Sequence, residues 1–238
     1  MTQPRVLVWD WPVRVFHWLV VACFAGAWLT AESEAWHLVH ITLGYTLGGL
    51  VAFRLVWGVV GSRTARFTSF VRSPRAALAY LQHLKAVALG QAPREAGSDA
   101  PVGVGHNPAG AWAIVGLLVL IATTVGLGWA TETERLPAFL DEAHEAAATA
   151  LLALVGLHVA GVVVGSLVHR DNLVRAMLTG FGRGRPQDAI ARSWWWLGAL
   201  MLAAVLAFWG WQWQQAPANP HDPSQVASHD KDDDGDDD

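Results

Sequence analysis

Five long apolar runs alternate with polar segments along this chain, predicting helices over residues 13–30, 36–61, 111–130, 144–168 and 194–213. Each is of the order of the roughly 20 residues that cross a hydrocarbon core. The runs are continuous and lack the apolar–polar alternation of a membrane barrel, so the spans read as helices. Asp10 followed by Pro12 is an N-cap signal for the first span. Ser73 and Pro74 precede RAALAYLQHLKAVALG, which reads as a capped amphipathic helix on the membrane surface. GHNPAG, residues 105–110, punctuates the chain before the third span. Residues 1–12 read as short and polar, and 169–193 as a basic linker.

Composition supports a membrane protein. Only 15% of the 238 residues are charged, against roughly 25% in soluble domains, and mean hydropathy is +0.30. Fourteen tryptophans suit two interfacial belts. Trp194, Trp195 and Trp196 mark one end of the fifth span, and Trp209, Trp211 and Trp213 the other. The first apolar run is long enough to span and follows a polar start, so no cleavable signal peptide is read there. The single cysteine excludes a disulfide framework, a CxxCH attachment and a thiolate iron–sulfur site. Cys23 reads as a small core residue.

The net charge of −4 hides an asymmetry, because the last 17 residues carry eight Asp and one Lys and the rest of the chain is +3. Twelve of the sixteen Lys and Arg fall in the N-terminal segment, the 62–108 loop and the 169–193 linker, and Arg14 makes a thirteenth at the very start of the first span. Five spans place these segments on one side, which the positive-inside rule makes cytoplasmic. The acidic connections, with Glu32, Glu34, Glu132, Glu134, Asp141 and Glu142 against Arg135, then face the periplasm, as does the tail. That tail, 214–238, reads as disordered and solvated, or as a docking site for a basic electron carrier.

Within this frame the histidines sort by depth. His144 and His158 enclose HEAAATALLALVGLH. Fourteen helical steps separate them by about 21 Å and turn them to within about 40° of each other. His40 near the start of span two lies level with His144; His17 near the start of span one lies level with His158. Two neutral imidazoles facing each other at one depth are what bis-histidine ligation of haem iron needs, and helical bundles hold cofactors this way. The alternative for each is an interhelical hydrogen bond. His37, three residues before His40, reads as interfacial. His83, His106 and His169 read as surface residues, and His221 and His229 as inert. Gly44 and Gly48 keep one helix face small, so that a helix or a flat ring can approach. Arg54 either snorkels to the interface or pairs with haem propionates.

VWDWPVRVFHW, LVHITLGY, FRLVWGVVGSRTARFTSFVRSP, GHNPAG, DEAHEAAATALLALVGLHVAGV and HRDNLVRAMLTG occur in order over residues 6–182. In these motifs the chain resembles the bacterial cytochrome b-561 family, relatives of hydrogenase cytochrome b subunits. The resemblance implies an all-α integral membrane protein of the bacterial inner membrane: a four-helix bundle over 6–182 carrying two haem b groups. His17, His40, His144 and His158 fall on the family's ligand positions. The fifth helix, with its linker at 183–213, lies outside the common core. The implied function is electron transfer between a periplasmic c-type cytochrome or other redox subunit and the quinone pool or an acceptor across the membrane, with quinone a further cofactor. Superoxide oxidation coupled to quinone reduction is the enzymatic alternative; it requires a cationic approach to the outer haem, whereas the periplasmic loops are acidic. A haem-free transporter or assembly protein is the third. No nucleophile or acid–base constellation stands out, and lipid rather than nucleic acid is the expected surround.

Overall fold

The structure, a computed structural model, describes residues 4–91, 107–133, 139–169 and 171–215. His106, Glu134, Arg135, His221, His229 and the acidic tail lie outside the described residues. In chain order the elements are β1 (Arg5–Leu7), α1 (Trp11–Thr30), α2 (His37–Val60), α3 (Phe67–Phe70), α4 (Pro74–Ala88), α5 (Pro108–Glu132), α6 (Phe139–His169), α7 (Leu173–Thr179), β2 (Phe181–Arg183) and α8 (Trp195–Gln214). Five of these helices, α1, α2, α5, α6 and α8, are long and apolar enough to cross a membrane.

Local sequence explains where they start. Asp10 Oδ1 accepts from Val13 N at 2.8 Å, and Pro12 sits in the first turn of α1. Ser73 caps α4 through Ala76 N, and Asn107 caps α5 through Gly110 N. Helix α6 begins at Phe139, five residues earlier than the apolar run indicates. Asp141 and Glu142 fill its first turn, where carboxylates complement the helix dipole.

The close helix pairs are α1–α2, α5–α6, α1–α8 and α2–α5, with α4 lying on α5. A core of Phe16, Cys23, Leu47, Leu50, Val51, Leu118, Ile121, Leu151 and Val205 joins all five spans. Outside it, Leu29, Val59 and Leu167 are about as exposed as lipid-facing side chains should be, at 82%, 69% and 72%.

Helix α8 packs on the bundle. Gly198 lets it close on α1: a Cβ there would lie 3.1 Å from Trp11 Cβ and 3.3 Å from Val15 Cγ2. Near its other end Trp209 does not act as an interfacial anchor. Its Nε1–H donates to Thr46 Oγ1 of α2 at 2.9 Å, because an inward-turned indole N–H needs an acceptor. Trp211 and Trp213 remain exposed.

The largest departure from the sequence reading is at the charged end. The N-terminal segment is not polar surface: Val6, Val8 and Trp9 are buried with Val13, Trp57, Ala65 and Ala176. β1 pairs antiparallel with β2, Arg5 opposite Arg183 and Leu7 opposite Phe181. Gly180, at φ 86°, ends α7 in the left-handed region, and its carbonyl accepts from Val8 N and Trp9 N. Trp11 N bonds Ser193 O, Ile190 N bonds Leu7 O, and Thr64 Oγ1 donates to Val8 O at 2.6 Å. Arg14 bonds the carbonyls of Met177 and Leu178, placing a cation at the C-terminus of α7. The stretch read as a basic linker is thus folded against the starts of α1 and α8.

Asp10 ties this end together. One oxygen caps α1; the other accepts from Trp57 Nε1 of α2 at 3.0 Å, and the carboxylate is 1% exposed. Asp10→Ala removes a cap and leaves a buried indole N–H unpaired, an expected loss of about 2–4 kcal/mol. Thermal unfolding in detergent checks this: the Ala variant melts well below wild type, and Asp10→Asn, which keeps the cap and loses the acceptor for Trp57 Nε1, melts between the two.

Candidate functional site

The four intramembrane histidines come together in two pairs. His40 is on the first turn of α2 and His144 on the second turn of α6. Their ring centroids are 6.3 Å apart with planes at 76°. His17, on the second turn of α1, and His158, midway along α6, are close enough to interact electrostatically. Helices α2 and α6 run in the same direction, so residues near their starts share a level, whereas α1 runs opposite to α6, so the start of α1 meets a residue well along α6.

The outer pair is oriented by backbone. His40 Nδ1 lies 2.9 Å from Ala27 O, and His144 Nδ1 lies 2.9 Å from Thr124 O. A carbonyl only accepts, so each Nδ1 carries the hydrogen and each Nε2 keeps a lone pair. The two acceptors are available for different reasons. Ala27 is in the last turn of α1, where carbonyls lack intrahelical amide partners. Thr124 is mid-helix, and Gly128, one turn on, leaves its carbonyl side open. A Cβ at Gly128 would lie 2.9 Å from His144 Cε1 and 3.1 Å from Nδ1.

The inner pair differs. His17 Nδ1 is buried with no hydrogen-bond partner. Arg54 is 4% exposed and does not snorkel. Its guanidinium lies 4.7 Å from the Phe67 ring centre and 6.0 Å from that of Phe70, within the electrostatic reach of Asp10. The Phe67 ring is seated against Gly58 of α2, and Arg54 Nη1 has no hydrogen-bond partner.

These features fit a haem. With metal–nitrogen bonds of about 2 Å and a ring centre about 1 Å further out, two collinear imidazoles have centroids about 6 Å apart. Backbone acceptors on the distal nitrogens are the usual support of ligating histidines. Among the described residues no group of three or more His, Cys, Asp or Glu gathers as a metal-ion shell; a pair of axial imidazoles needs none. A Cβ at Gly44 would meet nothing within 4 Å, whereas one at Gly48 would meet Val125 Cγ1 at 3.1 Å. Of the two glycines, Gly48 admits a helix and Gly44 has open space beside it.

The other histidines lie elsewhere. His37 Nε2 is 3.3 Å from Glu132 Oε2, with its side chain 62% exposed. His83 is half-buried on α4, outside the spans, and His169 ends α6. The supporting groups Ala27, Thr124 and Gly128 were not singled out from sequence. The one signal was the glycine four residues after Thr124 in TVGLG, uninformative until His144 is placed beside it.

The sequence profile of the family described as prokaryotic cytochrome b561 matches residues 8–180, most of the chain. Comparisons with curated proteins and with solved structures gave no match. The span of that match, over four of the five long apolar helices and the four histidines they carry, makes the chain a member of the prokaryotic cytochrome b561 family, an all-α, haem-b-binding membrane cytochrome of electron transfer.

Proposed function

We propose that the chain holds two haem b groups, one between His40 and His144 and one between His17 and His158, and relays electrons across the bacterial inner membrane. The observation that carries this reading is the outer pair: two rings 6.3 Å apart, each with Nδ1 on a helix carbonyl and Nε2 free. Bound there, haem supplies a one-electron ferric–ferrous couple. The chain supplies the rest. The imidazoles fix position, the apolar spans exclude water, and the open space beside Gly44 accommodates the flat ring. Arg54, with an unpartnered Nη1, would hold a propionate at the inner level. The two levels lie about 15–21 Å apart along the helix axes.

The side bearing His40 and His144 carries Glu32, Glu34, Glu132, Asp141, Glu142 and Glu145, and no Lys or Arg among the described residues. That surface suits a basic partner such as a c-type cytochrome in the periplasm. It gives no support to superoxide, an anion, as substrate. Quinone, or an acceptor across the membrane, completes the relay. The N-terminus is cytoplasmic in this reading, and the chain after α8 is periplasmic.

Pyridine haemochrome on the purified protein is expected to give two haem b per chain. His40→Ala and His144→Ala each remove the same haem, and His17→Ala and His158→Ala the other. One haem per wild-type chain, or crossed losses, contradicts the assignment. Gly128→Val should displace His144 and cost the outer haem, visible as loss of one low-spin signal in electron paramagnetic resonance. Gly126→Ala is the control, since a Cβ there meets nothing within 4 Å. For orientation, a membrane-impermeant thiol reagent on spheroplasts should label Glu34→Cys and not Gln91→Cys.

A further inference from the structure

We infer that this chain holds the inner haem, between His17 and His158, at the higher reduction potential of the two, through Arg54 and through unequal hydrogen bonding of the two histidine pairs. The inference rests on the dihaem reading above and adds a direction to it.

The first contribution is ligand basicity. His40 and His144 each donate Nδ1–H to a backbone carbonyl at 2.9 Å. Such a bond makes the ligating nitrogen more basic, and a more basic ligand favours the ferric state. His17 Nδ1 has no partner, and His158 makes no hydrogen bond to a described residue. The inner ligands are therefore the weaker donors, and the ferrous state is relatively favoured there.

The second contribution is fixed charge. The contact between His40 and Ala27 sets the register of α2 on α1. Ten residues separate Ala27 from His17, about 15 Å, and fourteen separate His40 from Arg54, about 21 Å. Arg54 thus lies about 6 Å beyond the level of His17, far from the outer pair. At 4% exposure its charge is poorly screened by solvent, and pairing with a propionate would cancel negative charge that otherwise stands beside the inner iron. A nearby cation favours the less positive, ferrous iron. Arg14, at the same end, adds the same sign. Asp10 opposes both, but its two oxygens are engaged by Val13 N and Trp57 Nε1 at the positive end of α1. At the outer level the fixed charges are carboxylates, which favour ferric iron.

Both contributions have one sign. With both haems bound, an electron delivered at the outer face would therefore move inward downhill, the outer iron being oxidised from ferrous to ferric as the inner is reduced from ferric to ferrous, with no proton or bond changing. The preference is at least tenfold in the equilibrium constant, about 59 mV for one electron.

An optical redox titration of the full-length protein in detergent tests this. Wild type should show two waves separated by at least the tenfold preference. Arg54→Gln should lower the upper wave and leave the lower in place; Arg54→Lys should leave both near wild type. Asp10→Asn should shift the upper wave the opposite way, upward, and it serves alone if Arg54→Gln does not accumulate. A lost packing contact would not produce opposite shifts of one wave. Movement of the lower wave, movement of neither, or coincident waves in wild type overturns the inference. One haem per chain instead overturns the dihaem reading, and the haem-to-protein ratio separates that result from the others.

Discussion

An imidazole placed inside an apolar bundle brings two nitrogens that both need partners, and this requirement organises the centre of the molecule. The rings of His40 and His144 spend one nitrogen each on a helix carbonyl, which fixes their tautomer and leaves the other nitrogen free to face across the bundle. The acceptors exist only because of features of neighbouring helices: α1 ends just past Ala27, and α5 has no side chain at Gly128. Ligand geometry is thus set by where one helix stops and where another is bare. The same demand, left unmet at Arg54 Nη1, marks the inner level as the place where a bound anionic group would finish the arrangement.

The folded segments at the end where α1 and α8 begin hold these helices in register. Asp10 joins the start of α1 to the end of α2 through Trp57, the β1–β2 ribbon joins the N-terminus to the segment after α7, and Ser193 joins the start of α8 to that of α1. Each link satisfies backbone or buried polar groups that the ends of apolar helices would otherwise leave open. The fifth helix is then a structural partner of α1 and α2, closed on Gly198 and fastened by Trp209 to Thr46.

The spans, their caps at Asp10 and Ser73, and the pairing of histidines by depth were legible in the sequence, because each depends on local chemistry or on the fixed rise of a helix. The ribbon was not. β1 and β2 have three residues each, too few for a period-two pattern to stand out, and they are 174 residues or more apart in the chain. Arg54 read equally well as a snorkelling cation. What turns it inward is the seat made by Gly58 and Phe67, a tertiary contact. Trp209 carried a strong interfacial prior and was drawn in by one hydroxyl. Gly128 matters only through a ring sixteen residues further on. In each case the missing information was the identity of a neighbour on another element.

The central claim is that two histidine pairs at two depths each hold one iron. Locating the iron directly, by anomalous scattering from crystals of the purified protein, tests it without reliance on variants. The account predicts two iron peaks per chain, one between His40 and His144 and one between His17 and His158. A single peak, or a peak lying outside both pairs, would contradict it.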